Sequence, residues 1–293
     1  MDNFNFLGYN IKVKSIAGHG TCVYIKELKI AFDMGIMIDS WVHNVDNVFI
    51  SHGHCDHIGS LHFHGRFRRL YKLDKIANYY LPSYCIDNFN KLYQCIASMD
   101  KGIHDTTKFI YDKSHYNIIS SDSLIKENCY INPGLYMKSY EMKHKIKNFG
   151  YCLFNQKKKL KQDFINFSKN EIIELKKKNI EISDIISEPL IAYSGDTTID
   201  GILQYPDFLK AKLLIMECSF YDDEVNPDES NKRGHIHIED IKRNEDKFLN
   251  EKILLIHISY SYKKKYVLDI IDKSFSENFK SKLMVSTCGL DAD

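Results

Sequence analysis

Apolar residues in this chain come in short bursts. Val48-Phe49-Ile50, Leu190-Ile191-Ala192-Tyr193, Leu213-Leu214-Ile215-Met216 and Ile253-Leu254-Leu255-Ile256 are each bounded by polar or glycine-containing turns. Brief, uninterrupted apolar runs of this kind read as buried strands. Helix-like segments lie between them, roughly at Tyr84–Met99, Lys169–Lys178 and Ile238–Asn250. Strands and helices mixed along the whole chain predict an αβ protein. One stretch alternates instead. From Tyr140 to Lys147, His144 falls on the apolar face between Met142 and Ile146, with Glu141, Lys143, Lys145 and Lys147 opposite. That period of two predicts an amphipathic strand with an inward histidine. An imidazole buried without a partner is costly, so His144 requires either a hydrogen bond or a metal.

Composition narrows the picture. At 293 residues, with 44% hydrophobic and 27% charged residues, the chain can bury a sizeable core, and a single domain over 1–293 is expected. The start, Met1-Asp2-Asn3-Phe4, has no basic region followed by an apolar one, and no apolar run approaches the roughly 18 residues needed to cross a bilayer. The eight cysteines are scattered without a C-x-x-C pair and read as reduced thiols. A soluble cytoplasmic protein, with a nuclear one as the alternative, is the expectation. The net charge of +1 offers no overall field to a polyanion, so any nucleic-acid contact must be a local patch. Gln156–Lys178 is such a patch, with Lys157, Lys158, Lys159, Lys161, Lys169 and three lysines at 176–178 against Asp163, Glu171 and Glu174. It reads either as a solvated helical face or as a short projecting basic arm.

The strongest chemical signal is Ser51-His52-Gly53-His54-Cys55-Asp56-His57-Ile58-Gly59, directly after the apolar Val48–Ile50. His52 and His54, two apart in extended chain, point the same way, while Asp56 and His57 fall where a helix should begin. A strand-to-helix turn then presents two ligand clusters, which suits two metals sharing one loop. Asp196 follows the strand ending at Tyr193, and His257 ends Ile253–Ile256. Together with His144 these residues form a set of imidazoles and carboxylates that suits zinc, with manganese or iron as alternatives.

The H-x-H-x-D-H pattern resembles the metallo-β-lactamase superfamily. Five further segments resemble tRNase Z in its short, plant-type form. They are His144 followed by Asn148-Phe149-Gly150-Tyr151; Tyr193-Ser194-Gly195-Asp196-Thr197-Thr198; Met216-Glu217-Cys218-Ser219-Phe220; Gly234-His235-Ile236-His237; and Leu255-Ile256-His257-Ile258-Ser259. The likeness runs from Ile16–Gly20 and Ala31–Gly35 to the C-terminal strand. It implies an α+β fold, the four-layer αβ/βα sandwich, and a homodimer. It also implies two Zn2+ per chain: one on His52, His54 and His144, the other on Asp56, His57 and His257, with Asp196 bridging. The Lys157–Lys161 region is implied to be a tRNA-gripping arm. Two departures stand out: Ser261 where the family often has Arg, and His237 where it commonly has Thr or another residue.

The reaction implied is removal of the 3′ trailer from precursor tRNA by phosphodiester hydrolysis. Asp56 is the candidate to orient or deprotonate the attacking water. His235 is the candidate proton donor to the leaving 3′-oxygen, with Glu217 holding its imidazole. The alternatives are another hydrolase of the same fold acting on small phosphodiesters or thioesters, and a metal-bearing RNA-binding subunit without catalysis.

Overall fold

The apolar bursts are continuous because the strands they form are covered on both faces. In Ile253-Leu254-Leu255-Ile256, Leu254 and Ile256 pack into a cluster between two sheets, while Ile253 and Leu255 face helices on the outside. The computed structural model describes residues 1–38, 40–100 and 116–291. One sheet runs in the order Asp2–Phe6, Tyr9–Ala17, Gly20–Ile25, Ile30–Phe32, Asn47–Phe49, Ala77–Leu81 and Tyr116–Ser120, with Ile258–Ser259 added beside Tyr9–Ala17. The other runs Leu283–Val285, Lys252–Ile256, Leu213–Glu217, Ser183–Tyr193, Asn148–Leu160, Leu135–Met142 and Cys129–Asn132.

Three apolar clusters hold the four layers together. The central one joins Phe32 and Phe49 of the first sheet to Tyr151, Tyr193 and Ile215 of the second. Phe32 stacks on Tyr193 with ring centroids 4.8 Å apart. On the outer face of the first sheet, Ala31, Val48 and Tyr79 meet Leu61 of helix Leu61–Leu70 and Phe89 of helix Ser83–Asp100. On the outer face of the second, Ala192 and Leu214 meet Phe208, Ile241 and Val267 from helices. Each buried Val, Leu, Ile or Phe among them contributes roughly 1.5–3 kcal/mol by leaving water. This is the α+β sandwich that the resemblance implied. No helix of the described residues is long and apolar enough to cross a membrane.

Several sequence expectations need correcting. The Tyr140–Lys147 stretch is not one strand: the strand ends at Met142, and His144 lies on the following turn, half-buried, although burial still alternates along it. The helix expected over Ile238–Asn250 stops at Arg243, and Glu245–Lys247 forms a separate 3-10 turn. Leu249, within the expected helix, is 64% exposed because the chain has by then turned away. Lys157–Lys159 belong to the long strand Asn148–Leu160 and not to a helical face, so the helical reading of that segment applies only to Lys169–Lys177.

Candidate metal centre and active site

Strand direction assembles the site. Ser183–Tyr193, Leu213–Glu217 and Lys252–Ile256 lie parallel, so their carboxyl ends reach one rim of the sandwich with Asp196, Glu217 and His257 just there. Asn47–Phe49 of the facing sheet delivers Ser51–His57 to the same rim, and Phe149 N–H donates to Ser51 O at 2.9 Å to join the two. The four-residue helix Cys55–Ile58 starts there and turns His57 inward.

All seven expected ligands converge. His52, His54, His144 and Asp196 bring one atom each within 4.8 Å of one another, as do Asp56, His57 and His257. Asp196 sits between the groups. Its Oδ2 is 3.3 Å from His57 Nε2 and 3.7 Å from His52 Nε2, and its Oδ1 is 3.4 Å from His257 Nε2. Asp56 Oδ2 lies 3.6 Å and 3.5 Å from the Nε2 atoms of His57 and His257, and accepts a 2.8 Å hydrogen bond from Gly18 N–H.

The hydrogen-bond partners decide which nitrogens are free. His57 Nδ1 donates to Asp33 at 2.7 Å, His144 Nδ1 to Gly234 O at 2.8 Å, His52 Nδ1 to Ser51 Oγ at 2.9 Å and His257 Nδ1 to Ser219 Oγ at 3.1 Å. With those protons placed outward, each Nε2 carries a lone pair. His54 presents Nδ1 instead, 2.8 Å from His52 Nε2 and 3.4 Å from His144 Nε2. His57 Nε2 and His257 Nε2 are 3.2 Å apart. Lone pairs so close, beside two carboxylates, repel unless a cation lies among them, and outward-bonded imidazoles are the usual support of a metal. The residues therefore fit metal ions.

Electrostatics agree. Burial, then the neighbouring imidazoles, push His52 well below the ordinary histidine range, and His54 and His144 are likewise lowered, chiefly by burial. These three are thus neutral donors. Burial also opposes charge on His57, but Asp196 and Asp33 outweigh it and hold that imidazole well above its usual range, so without a cation Nε2 takes a proton, and a metal there would replace it. Burial opposes ionisation of Asp196 too, yet His257 and His57 keep it well below the carboxylate range. The pocket is built for positive charge.

Next to this cluster, Glu217 and His235 form a pair. His235 Nδ1 donates to Glu217 at 3.0 Å, leaving Nε2 as its other nitrogen, and Glu217 also accepts from Thr197 N–H, Ser219 Oγ and Ile236 N–H. Burial lowers His235, but Glu217 overrides it and raises the pKa to about 9. The ring lies 5.2 Å from His144 and 5.6 Å from His257, with Nδ1 4.0 Å from Asp196. His235 precedes the helix Ile238–Arg243. The helix start belongs to His237, whose Nδ1 accepts from Glu239 N–H, so an imidazole serves as the cap.

Sequence reasoning missed Asp33. It is fully buried and accepts from Ser51 N–H, Ser51 Oγ, His57 Nδ1 and Tyr193 Oη. Its one signal was an aspartate directly after an apolar strand. The backbone is left-handed at Asp33 (φ 55°) and at His257 (φ 60°), conformations that non-glycine residues hold only where the surroundings impose them. Two glycines do comparable work. A Cβ on Gly195 would lie 2.6 Å from Ser51 Cβ, and one on Gly234 2.7 Å from His144 Nδ1.

The lysines of the arm lie apart from this centre. Lys157, Lys158 and Lys159 pair antiparallel with Ile186, Ile185 and Asp184 at the far end of the hairpin, and Lys161 caps a 3-10 turn. Lys157 bonds Glu188 at 3.0 Å. The helix Lys169–Lys177 buries no residue.

Two helix-covered sheets with an H-x-H-x-D-H loop at their shared rim define a metallo-β-lactamase-fold protein. The fold matches the metallo-β-lactamase fold protein YhfI of Bacillus subtilis (TM-score 0.59, 16% identity, 94% of this chain and 96% of that one). It also matches human tRNase Z, short form (TM-score 0.56, 15% identity, 94% and 95%). Residues 30–245 match the family model described as Anti-Pycsar protein Apyc1. The chain is 36% identical over 266 residues, 90% of each protein, to tRNase Z TRZ1 of Arabidopsis thaliana. It belongs to the tRNase Z family, and residues 30–245 carry the domain of the Apyc1 model. Family membership makes it a metal-dependent hydrolase.

Proposed function

We propose that this chain is the endoribonuclease that removes the 3′ trailer from precursor tRNA. The observation that carries the proposal is the Glu217–His235 pair, set within 4.0 Å of a carboxylate shared by two ligand clusters, in a chain of the tRNase Z family. His52, His54 and His144 would hold one cation and Asp56, His57 and His257 a second, with Asp196 between them. The nitrogen-rich set favours zinc at both positions. When bound, such a pair supplies Lewis acidity and neutralises charge gathering on the phosphoryl oxygens.

The chain's own groups do the rest. Asp56, whose carboxyl His257 and His57 hold below the usual range against the effect of burial, is an ionised acceptor at the cluster. It orients the attacking water and can take its proton. His235 Nε2 delivers a proton to the departing 3′-oxygen. Glu217 fixes the ring through Nδ1 and keeps it protonated at neutral pH. The products are a tRNA ending in a 3′-hydroxyl and a trailer bearing a 5′-phosphate. Lys157, Lys158, Lys159 and Lys161, at the end of a hairpin distant from the ligands, grip the body of the tRNA by charge. The active unit is a homodimer of single-domain chains working in the cytoplasm or nucleus.

The test is incubation of purified protein with a precursor tRNA carrying a 3′ trailer, with and without chelator. Cleavage at the trailer junction, abolished by chelation and restored by zinc, is the expected result. A protein that instead hydrolyses a cyclic nucleotide or a thioester and leaves the precursor intact would replace this reading.

A further inference from the structure

A second cavity, about 390 Å³, adjoins the metal centre. Its walls include Lys143, Lys145, Lys232 and Asp200, and it shares a partition with the centre made by His144 and Gly234. That partition is thin: His144 Nδ1 bonds Gly234 O at 2.8 Å, His144 Nε2 faces His54 Nδ1 at 3.4 Å, and Gly234 is followed directly by His235. A chain of phosphodiesters with one phosphate over His54, His144 and His235 has this cavity beside it, just across the partition.

The charge in the cavity suits what would arrive. Three ammonium groups face one carboxylate, and among the described residues Asp200 pairs with Lys143 alone, at 3.4 Å. Among the described residues no carboxylate pairs with Lys145 or Lys232. The placement is not accidental to the backbone. Burial alternates from Glu141 to Lys147, so His144 turns toward the site while Lys143 and Lys145 stay in solvent on either side of it. Lys232 comes from the last turn of helix Pro227–Arg233, which Gly234 ends with a left-handed φ of 83°. Lysines on flexible stems are point charges that suit a phosphate without fixing the base attached to it.

We infer that the cavity formed by Lys143, Lys145 and Lys232 holds the phosphate next to the scissile one in the RNA chain. This subsite rests on the reading of the centre as an RNA phosphodiesterase and adds to it a sequence-independent grip beside the cut, separate from the hairpin lysines.

The test measures binding, not trimming. Fluorescence anisotropy with a fluorescein-labelled oligouridylate, verified intact by gel, is followed across a salt series. For K143A/K145A/K232A the slope of log K against log salt should fall by about 2, at about 0.7 per lost single-strand contact, with affinity at moderate salt down roughly tenfold. A control, K210A/K242A/K273A, removes three exposed lysines elsewhere and should leave the slope unchanged. D200N should tighten binding severalfold. Equal slopes in wild type and the first variant, or equal losses in both triple variants, would overturn the subsite. Because trailer removal is not the readout, failure of wild type to trim a precursor tRNA would sink the proposed function and leave this slope to be judged alone.

Discussion

The metal centre and the lysine hairpin are built by opposite means. At the centre, His52, His57, Asp196, Glu217 and His257 are buried, and their polar atoms are held by named partners on other segments. Asp33 alone joins Ser51, His57 and Tyr193, tying both sheets to one imidazole. In the hairpin, Lys157–Lys159 stand in water on a two-stranded ribbon, and helix Lys169–Lys177 relies on its Ser168/Glu171 capping box with no buried side chain. Buried polar groups that lose a partner carry the full desolvation cost, whereas screened surface charges act additively and weakly. A defect at the centre should therefore be local, large and insensitive to salt. A defect in the hairpin should be modest, substrate-dependent and abolished by salt.

The sharpest break of this contrast is H235A. It should retain its metal content and lose about 10²–10⁴ in turnover on precursor tRNA, measured by single-turnover cleavage beside metal analysis. His235 acts while protonated, so wild-type rate should decline as pH rises through its pKa of about 9. Glu217→Gln removes the charge that raises it, and the alkaline limb should shift to lower pH. A limb that stays in place would deny Glu217 that role. Next in size is D33N, which replaces no expected ligand but strips the charge hydrogen-bonded to Nδ1 of one, His57. Zinc titration should show about 10–100-fold weaker binding. Unaltered affinity would mean that Asp33 is only a structural tie. Smallest is K157A/K158A/K159A/K161A. Its KM for precursor tRNA should rise up to about tenfold at low salt, the salt slope should flatten by about 3, and hydrolysis of bis(p-nitrophenyl) phosphate should be unchanged. If the small ester suffers equally, the hairpin is part of the scaffold.

The sequence went far on the ligands because metal chemistry restricts residue types. Imidazoles and carboxylates crowded into His52–His57 have few structural explanations, and apolar runs ending at Tyr193 and Ile256 marked where Asp196 and His257 would emerge. Periodicity was less secure. It placed His144 on the correct side but extended its strand past Met142, since alternating burial persists in a turn that skirts the site. It likewise carried the helix from Ile238 beyond Arg243, where Asn244 and the following 3-10 turn redirect the chain.

Residue pattern alone determined that strands would be doubly buried, that hard and nitrogen ligands would gather at their ends, and that lysines would cluster near 157–161. Only the tertiary structure decided which nitrogen of each histidine faces the centre, because that depends on Asp33, Ser51, Ser219 and the Gly234 carbonyl, which lie up to 90 residues away from the ring they orient. It also decided that Lys143, Lys145 and Lys232 share one cavity. Spacing along a chain constrains direction within an element, but the meeting of separate elements is set by how the two sheets pack.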